Sequence, residues 1–164
     1  MRIRMYQTIL FKISKKIFEE AAFAIVDPCE DDSPQLSEPS KAAHVEFNGT
    51  FSGRLAILAT ERTAQIAAAN MLGLEEDDPD VNGKAADALG EILNMICGNF
   101  LPAVAGSDAE FQIDAPTELN AAAFPELLDS GASMNSVVAE FCVEGDIVKI
   151  IFLYEKGALS GELL

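Results

Sequence analysis

The chain has 164 residues, 49% of them hydrophobic and 23% charged, which supplies the core of one ordinary domain and excludes wholesale disorder. Acids outnumber bases 27 to 11, and five of the bases (Arg2, Arg4, Lys12, Lys15, Lys16) fall in the first sixteen positions, which hold no acid. Residues 17–164 therefore carry 6 bases against 27 acids, a net of −21, and a field of that sign repels phosphate backbones and anionic lipid, so nucleic acid and membrane are disfavoured partners.

Residues 5–25 predict an amphipathic helix. Leu10, Ile13, Ile17, Ala21 and Ala24 recur at spacings of three and four, Ile9, Phe18 and Ile25 widen the stripe, and Lys12, Lys15, Lys16, Glu19 and Glu20 lie mostly opposite. The lysines interrupt the apolar run that a secretory signal needs. No stretch reaches the about 20 apolar residues of a membrane span, so a cytoplasmic protein is expected. Residues 27–42, acidic and rich in Pro and Ser, read as a loop. Residues 44–59 read as two strands: Val45 and Phe47 alternate, Asn48-Gly49 turns, and Phe51, Leu55, Ile57 and Ala59 resume the alternation. Gly53 marks a bulge or a close backbone approach. Thr60 is placed to cap a helix over 61–72, and Gly73 to stop it.

A second acidic loop, 74–83, precedes a long helix from about 82 to 101 or a little beyond, where Pro102 cannot continue an unkinked helix. Asp114–Thr117 is an extended or turn segment, and 119–133 has room for a short helix. Residues 137–154 form a hairpin of half-buried strands turning at Glu144-Gly145-Asp146. Three scattered cysteines, Cys29, Cys97 and Cys142, offer no disulfide framework and suggest a reducing compartment. With His44 the single histidine, a Cys/His zinc site is all but excluded.

The helix around residues 84–101 carries the densest chemistry. Leu89, Ile92, Leu93, Ile96 and Phe100, with Ala85, share its core face. Lys84, Asp87, Glu91, Asn94 and Gly98 share the opposite face at spacings of three and four. A carboxylate can pair with a partner's lysine or hold a cation, and a carboxamide can orient a water without being ionised. Gly90 and Gly98 each cost about 1 kcal/mol relative to Ala inside a helix and remove bulk beside the polar pair. By periodicity alone the stripe reads first as a solvated face with two packing glycines.

Other constellations are weaker. Asp78-x-Asp80-x-Asn82-Gly83 imitates the start of a calcium loop, but the twelfth position is Leu89 and Pro79 is awkward there, so a charged loop entering a helix is the simpler account. Gly83-Lys84-Ala85 lacks the hydroxyl residue and upstream glycine of a phosphate loop, and Gly131-x-Ser133-x-Asn135 lacks the second glycine of a nucleophile elbow. His44 has no evident Ser or Cys partner and reads as structural or exposed, and Cys97 as a packing residue.

Asp87-x-x-x-Glu91-x-x-Asn94, followed by Met-Ile-Cys-Gly98-Asn99 and by Pro116 some twenty residues on, resembles the signature helix of the CheC/CheX/FliY group of bacterial chemotaxis phosphatases. The preceding stretch from Asn48-Gly-Thr-Phe-Ser-Gly-Arg to Met71-Leu-Gly is similar to that group's strand-to-helix segment, and the likeness covers about residues 44–117. Glu-x-x-Asn occurs once in the chain, as in the CheX branch, whereas CheC-like members carry two copies. The resemblance implies an α/β (α+β) two-layer fold, 1–164 as a single domain, with long helices packed on an antiparallel sheet, and a homodimer made by joining sheets. It further implies hydrolysis of the aspartyl phosphate on a CheY-like response regulator. Asn94 would orient the water, Glu91 would pair with the regulator's lysine, and Asp87, Gly98 and Lys84 would support docking. The chain would need no cofactor of its own, Mg²⁺ being supplied by the regulator. The alternative is a non-catalytic module that recognises a regulator or another signalling protein through helix 84–101. Phosphate release from phosphorylated regulators separates the two.

Overall fold

The computed structural model describes residues 2–30, 40–129 and 133–159. Helix α1 runs Arg2–Ala21 and buries Tyr6, Leu10, Ser14 and Phe18, four residues apart, with Ile9, Ile13 and Ile17 partly buried beside them. It ends sooner than its apolar stripe predicts. The amides of Ala22 and Ala24 both donate to the Phe18 carbonyl, and Phe23 turns left-handed at φ 50°. From there burial alternates in twos: Ala24 and Val26 point in, while Phe23 and Ile25 are 72% and 65% exposed. The period has switched from helix to strand, and Val26–Asp27 (β1) pair with the far end of the sheet. Most of the predicted 27–42 loop, residues 31–39, lies outside the described residues, and 40–42 already belong to a strand.

Strands β2 (Ser40–Gly49) and β3 (Gly53–Thr60) form the first hairpin, with Phe51 in its turn rather than in a strand. Gly53 is a close approach: a Cβ there would stand 2.2 Å from the Leu153 carbonyl oxygen. Helix α2 (Glu61–Leu72) has the predicted bounds, with Thr60 Oγ1 accepting from the Thr63 amide at 3.1 Å and Gly73 left-handed at φ 69°. One short turn, α3 (Pro79–Asn82), interrupts the second acidic segment. Helix α4 (Ala85–Ala105) runs through Pro102 and ends a little beyond it, as expected, and starts three residues later than expected. The proline lacks the amide that would bond the Gly98 carbonyl, and Gly98 is exposed, so water can take that bond. Among the described residues α4 is long and apolar enough to cross a membrane by length and composition, but 56% of its apolar window is buried inside the fold.

Short strands β4 (Phe111–Ile113) and β5 (Thr117–Leu119) both pair with β2, and the segment 119–133 holds two 3₁₀ turns, Ala121–Ala123 and Pro125–Asp129. Strands β6 (Met134–Val143) and β7 (Asp146–Glu155) form the second hairpin, whose two turn residues Glu144 and Gly145 both have positive φ, as a type I′ turn requires. The seven strands make one antiparallel sheet in the order β1-β6-β7-β3-β2-β4, with β5 beside β4 on β2.

Helices α1 and α4 cover one face of this sheet. There Tyr6, Leu10, Phe18, Leu89, Ile92, Leu93, Ile96 and Phe100 meet Val45, Phe47, Leu55, Ile57, Phe141, Ile150 and Phe152. The other face is closed over Ala42, Ala56, Leu58, Ile151 and Leu153 by Phe124 and Leu127 from the 3₁₀ turns. This is the expected α+β two-layer arrangement. The cysteine expectation is overturned: Cys29 and Cys142 form a disulfide, with Cα atoms 5.1 Å apart across 113 residues of sequence. β1 brings them together, because Asp27 stands opposite Cys142 in the β1–β6 register.

Candidate functional site

All six residues assigned to the core face of α4 are buried, Ala85 at 1% exposure and Leu89, Ile92, Leu93, Ile96 and Phe100 at 0%. That anchoring fixes the rotation of the helix and therefore the direction of its polar stripe. Lys84, Asp87, Glu91 and Gly98 are exposed and Asn94 is half-buried. At about 100° per residue they fall within an arc of roughly 80°, with Asn94 on one flank and Glu91 and Lys84 on the other. Among the described residues the side chains of Lys84, Asp87, Glu91 and Asn94 have no hydrogen-bond or ion-pair partner, so the stripe is uncommitted. Asp87 lies in the first turn of α4, where a carboxylate favours the helix dipole. Lys84 occupies the cap position with its backbone, its carbonyl accepting from the Ala88 amide at 2.9 Å.

The two glycines differ. A Cβ on Gly90 would stand 2.8 Å from Pro116 Cβ, so Gly90 makes room for the β4–β5 connection to cross the helix. Asn94 is one turn further along that flank. Around Gly98 a Cβ would meet nothing within 4 Å, and this position is open for another surface.

A feature the sequence reading missed adjoins the stripe. Between α2 and α4 lies a groove of about 210 Å³, lined by Ala68, Met71, Leu72, Lys84, Asp87, Ala88 and Glu91. Leu72 is 50% exposed at its edge. The signal was present in the small-residue run Ala67-Ala68-Ala69 ahead of Met71-Leu72, which lets two helices approach and leaves larger apolar groups at the rim.

The weaker constellations are otherwise engaged. Asp78 Oδ1 accepts from the Asp80 amide at 2.9 Å as a cap, and Asn82 Oδ1 accepts from Gln65 Nε2 at 2.9 Å. Among the described residues no three His, Cys, Asp or Glu side chains cluster as metal ligands. Cys97 is fully buried, and burial pushes its thiol up to about 12, which keeps it protonated and unreactive. His44 is half-buried on β2. Burial, then the Arg54 charge, lowers its pKa against an opposing pull from Glu46, so it is neutral near pH 7.

The sequence family described as chemotaxis phosphatase CheX matches residues 42–142, which include the whole stripe and groove. No curated protein matches the chain. Solved structures with the same fold include a chemotaxis protein CheX from Desulfovibrio desulfuricans, 18% identical over 92% of this chain and 99% of that one, at a TM-score of 0.67. A CheX–CheY–BeF3–Mg²⁺ complex from Borrelia burgdorferi is 19% identical over 92% and 98%, at 0.66. FliY of Thermotoga maritima is 15% identical over 95% and 90%, at 0.61.

Proposed function

The chain belongs to the CheX family of chemotaxis phosphatases, and from that premise we propose that it hydrolyses the aspartyl phosphate of a CheY-like response regulator docked on the α4 stripe. One observation carries the reading: Glu91 and Asn94 project, without partners of their own, from a helix whose opposite face is locked in the core. An acyl phosphate is already activated, so what hydrolysis lacks is a water held in line with the phosphorus. Orienting it converts a bimolecular encounter into a nearly unimolecular one. Asn94 is suited to this because a neutral carboxamide both donates to and accepts from water and does not repel the phosphoryl group. Its half-burial narrows its rotamers relative to a fully exposed side chain, which orientation requires. Glu91 pairs with the regulator's lysine and sets the register. The regulator brings the Mg²⁺ that neutralises phosphoryl charge. Leu72 and Met71 in the adjoining groove offer apolar contact, Asp87 and Lys84 line its polar side, and open Gly98 admits the partner's backbone. Before Cys142 the outer edge of β6 has no strand partner among the described residues, which supports a homodimer made by joining sheets.

The test is phosphate release from a phosphorylated regulator. Asn94→Ala should lower the rate by about 10²-fold or more while binding and unfolding midpoint stay unchanged. Glu91→Ala should weaken binding as well as rate. A wild-type protein that binds the regulator without accelerating release establishes the binding-module reading instead. Full activity in Asn94→Ala overturns the water-positioning role.

A further inference from the structure

The groove between α2 and α4 is built as a socket. Its floor is Ala68 and Ala88, 1% and 8% exposed, which belong with Ala69 and Val81 to a small apolar cluster separate from the main core. Its apolar wall is Met71 and Leu72. A lone exposed leucine needs no explanation, but Leu72 stands half-exposed over a recess rather than on a convex surface. Lys84, Asp87 and Glu91 make the rest of the rim, and none of them has an ion-pair partner among the described residues. An apolar centre bordered by charges is the arrangement of a binding hot spot, whose surround keeps water from the centre.

The recess is formed before anything docks. Asn70 Nδ2 donates to the Ala22 carbonyl at 2.7 Å and Gln65 Nε2 donates to Asn82 Oδ1 at 2.9 Å, so α2 is tied both to the end of α1 and to α3. Past Gly73 the Leu74 amide donates to the Ala69 carbonyl at 2.9 Å, and Leu74 packs on the cluster under the floor. A recess held in this way loses little entropy on being filled. At about 210 Å³ it is smaller than the roughly 300–1,000 Å³ of small-molecule sites and suits a single side chain. A second copy of the chain is a poor source of that side chain, because a twofold contact here sets Asp87 and Glu91 against their own kind. Glu91 points to a better one. It lines the groove and also belongs to the α4 stripe, so a partner whose lysine pairs with Glu91 lies over Leu72 as well.

We propose that the groove receives one bulky aliphatic or aromatic side chain that the response regulator carries beside its lysine, and that this side chain decides which regulators the protein accepts. The proposal rests on the docking of a regulator on the α4 stripe. A Glu–Lys pair cannot by itself tell one lysine-bearing regulator from another. A preformed apolar recess can, because a regulator that leaves it empty forfeits the contact and one that sets a polar group in it leaves that group unpaired.

The test titrates a panel of CheY-like regulators from the same genome, held in the phosphoryl state by BeF3⁻ and Mg²⁺, and follows phosphate release in parallel. For the tightest binder Leu72→Ala should raise Kd about fivefold or more and leave kcat within about twofold, and across the panel it should narrow the spread of affinities. The unfolding midpoint should stay unchanged, since Leu72 is half-exposed. The loss should be the same at about 50 mM and about 500 mM KCl, whereas the loss in Glu91→Ala should shrink with salt. Alanine at one apolar residue beside the regulator's lysine should weaken binding as much as Leu72→Ala does, and the two changes together little more than either alone. Wild-type affinity of Leu72→Ala for a regulator that Glu91→Ala binds more weakly overturns the socket and leaves the docking reading standing. Failure of the wild-type protein to bind any regulator overturns the docking reading and the socket with it.

Discussion

Gly90 and Gly98 lie eight residues apart on one helix and read alike in the sequence, as two costly glycines beside a polar pair. The structure gives them different reasons. Gly90 is buried against a proline ring that cannot swing aside, whereas Gly98 faces open space. Gly90→Ala should therefore destabilise: overpacking costs about 1–3 kcal/mol, offset by up to about 1 kcal/mol of helix propensity. Gly98→Ala should gain about that propensity. Urea unfolding midpoints of the two variants should move in opposite directions. The distinction was not legible because Pro116 is 26 residues downstream of Gly90 and only tertiary packing joins them. The stripe itself was legible, since the spacing of Asp87, Glu91 and Asn94 and the anchoring of Leu89, Ile92, Leu93 and Ile96 are both local properties of one helix. What each stripe residue does stays a proposal resting on family membership and on their freedom from other partners.

Elements with chemical signals at their own ends were readable. α2 starts at Thr60 and stops at Gly73 as predicted, and the second hairpin turns at Glu144-Gly145. Elements ended or prolonged by tertiary contacts were not. α1 gives way to β1 because Val26 pairs with Val143. Thr60 shows how much one cap can join. Its hydroxyl accepts from the Thr63 amide at 3.1 Å and donates to Asp146 Oδ2 at 2.8 Å, tying the wall of the groove to the β6–β7 turn. Thr60→Ala should cost about 1–2 kcal/mol in equilibrium unfolding, and Thr60→Ser should restore most of it.

At the scale of the whole molecule, the disulfide was invisible because an odd, scattered cysteine count says nothing about which strands a fold sets side by side. Once β1 is seen on the edge of β6, the Cys29–Cys142 bridge follows from register. It closes a 113-residue span, so reduction should lower stability by about 2–4 kcal/mol, and Cys29→Ser should reproduce the loss without reductant. Thiol titration of the unreduced, denatured protein should find one free group, Cys97. The fold class was legible in outline because two amphipathic helices and two alternating hairpins admit few layered arrangements.

The sheet order has a temporal side. The two hairpins, β2–β3 and β6–β7, are each made of neighbouring segments, but they are sewn together by β3 on β7, Gly53 against Tyr154 through Ala59 against Val148. Helix α4, with its whole polar stripe, has been synthesised by residue 105, fifty residues before β7, which completes the sheet beneath it, ends at Glu155. During synthesis the apolar face of α4 is thus made before the strand that finishes covering it and must wait for the end of β7 to be fully sheltered.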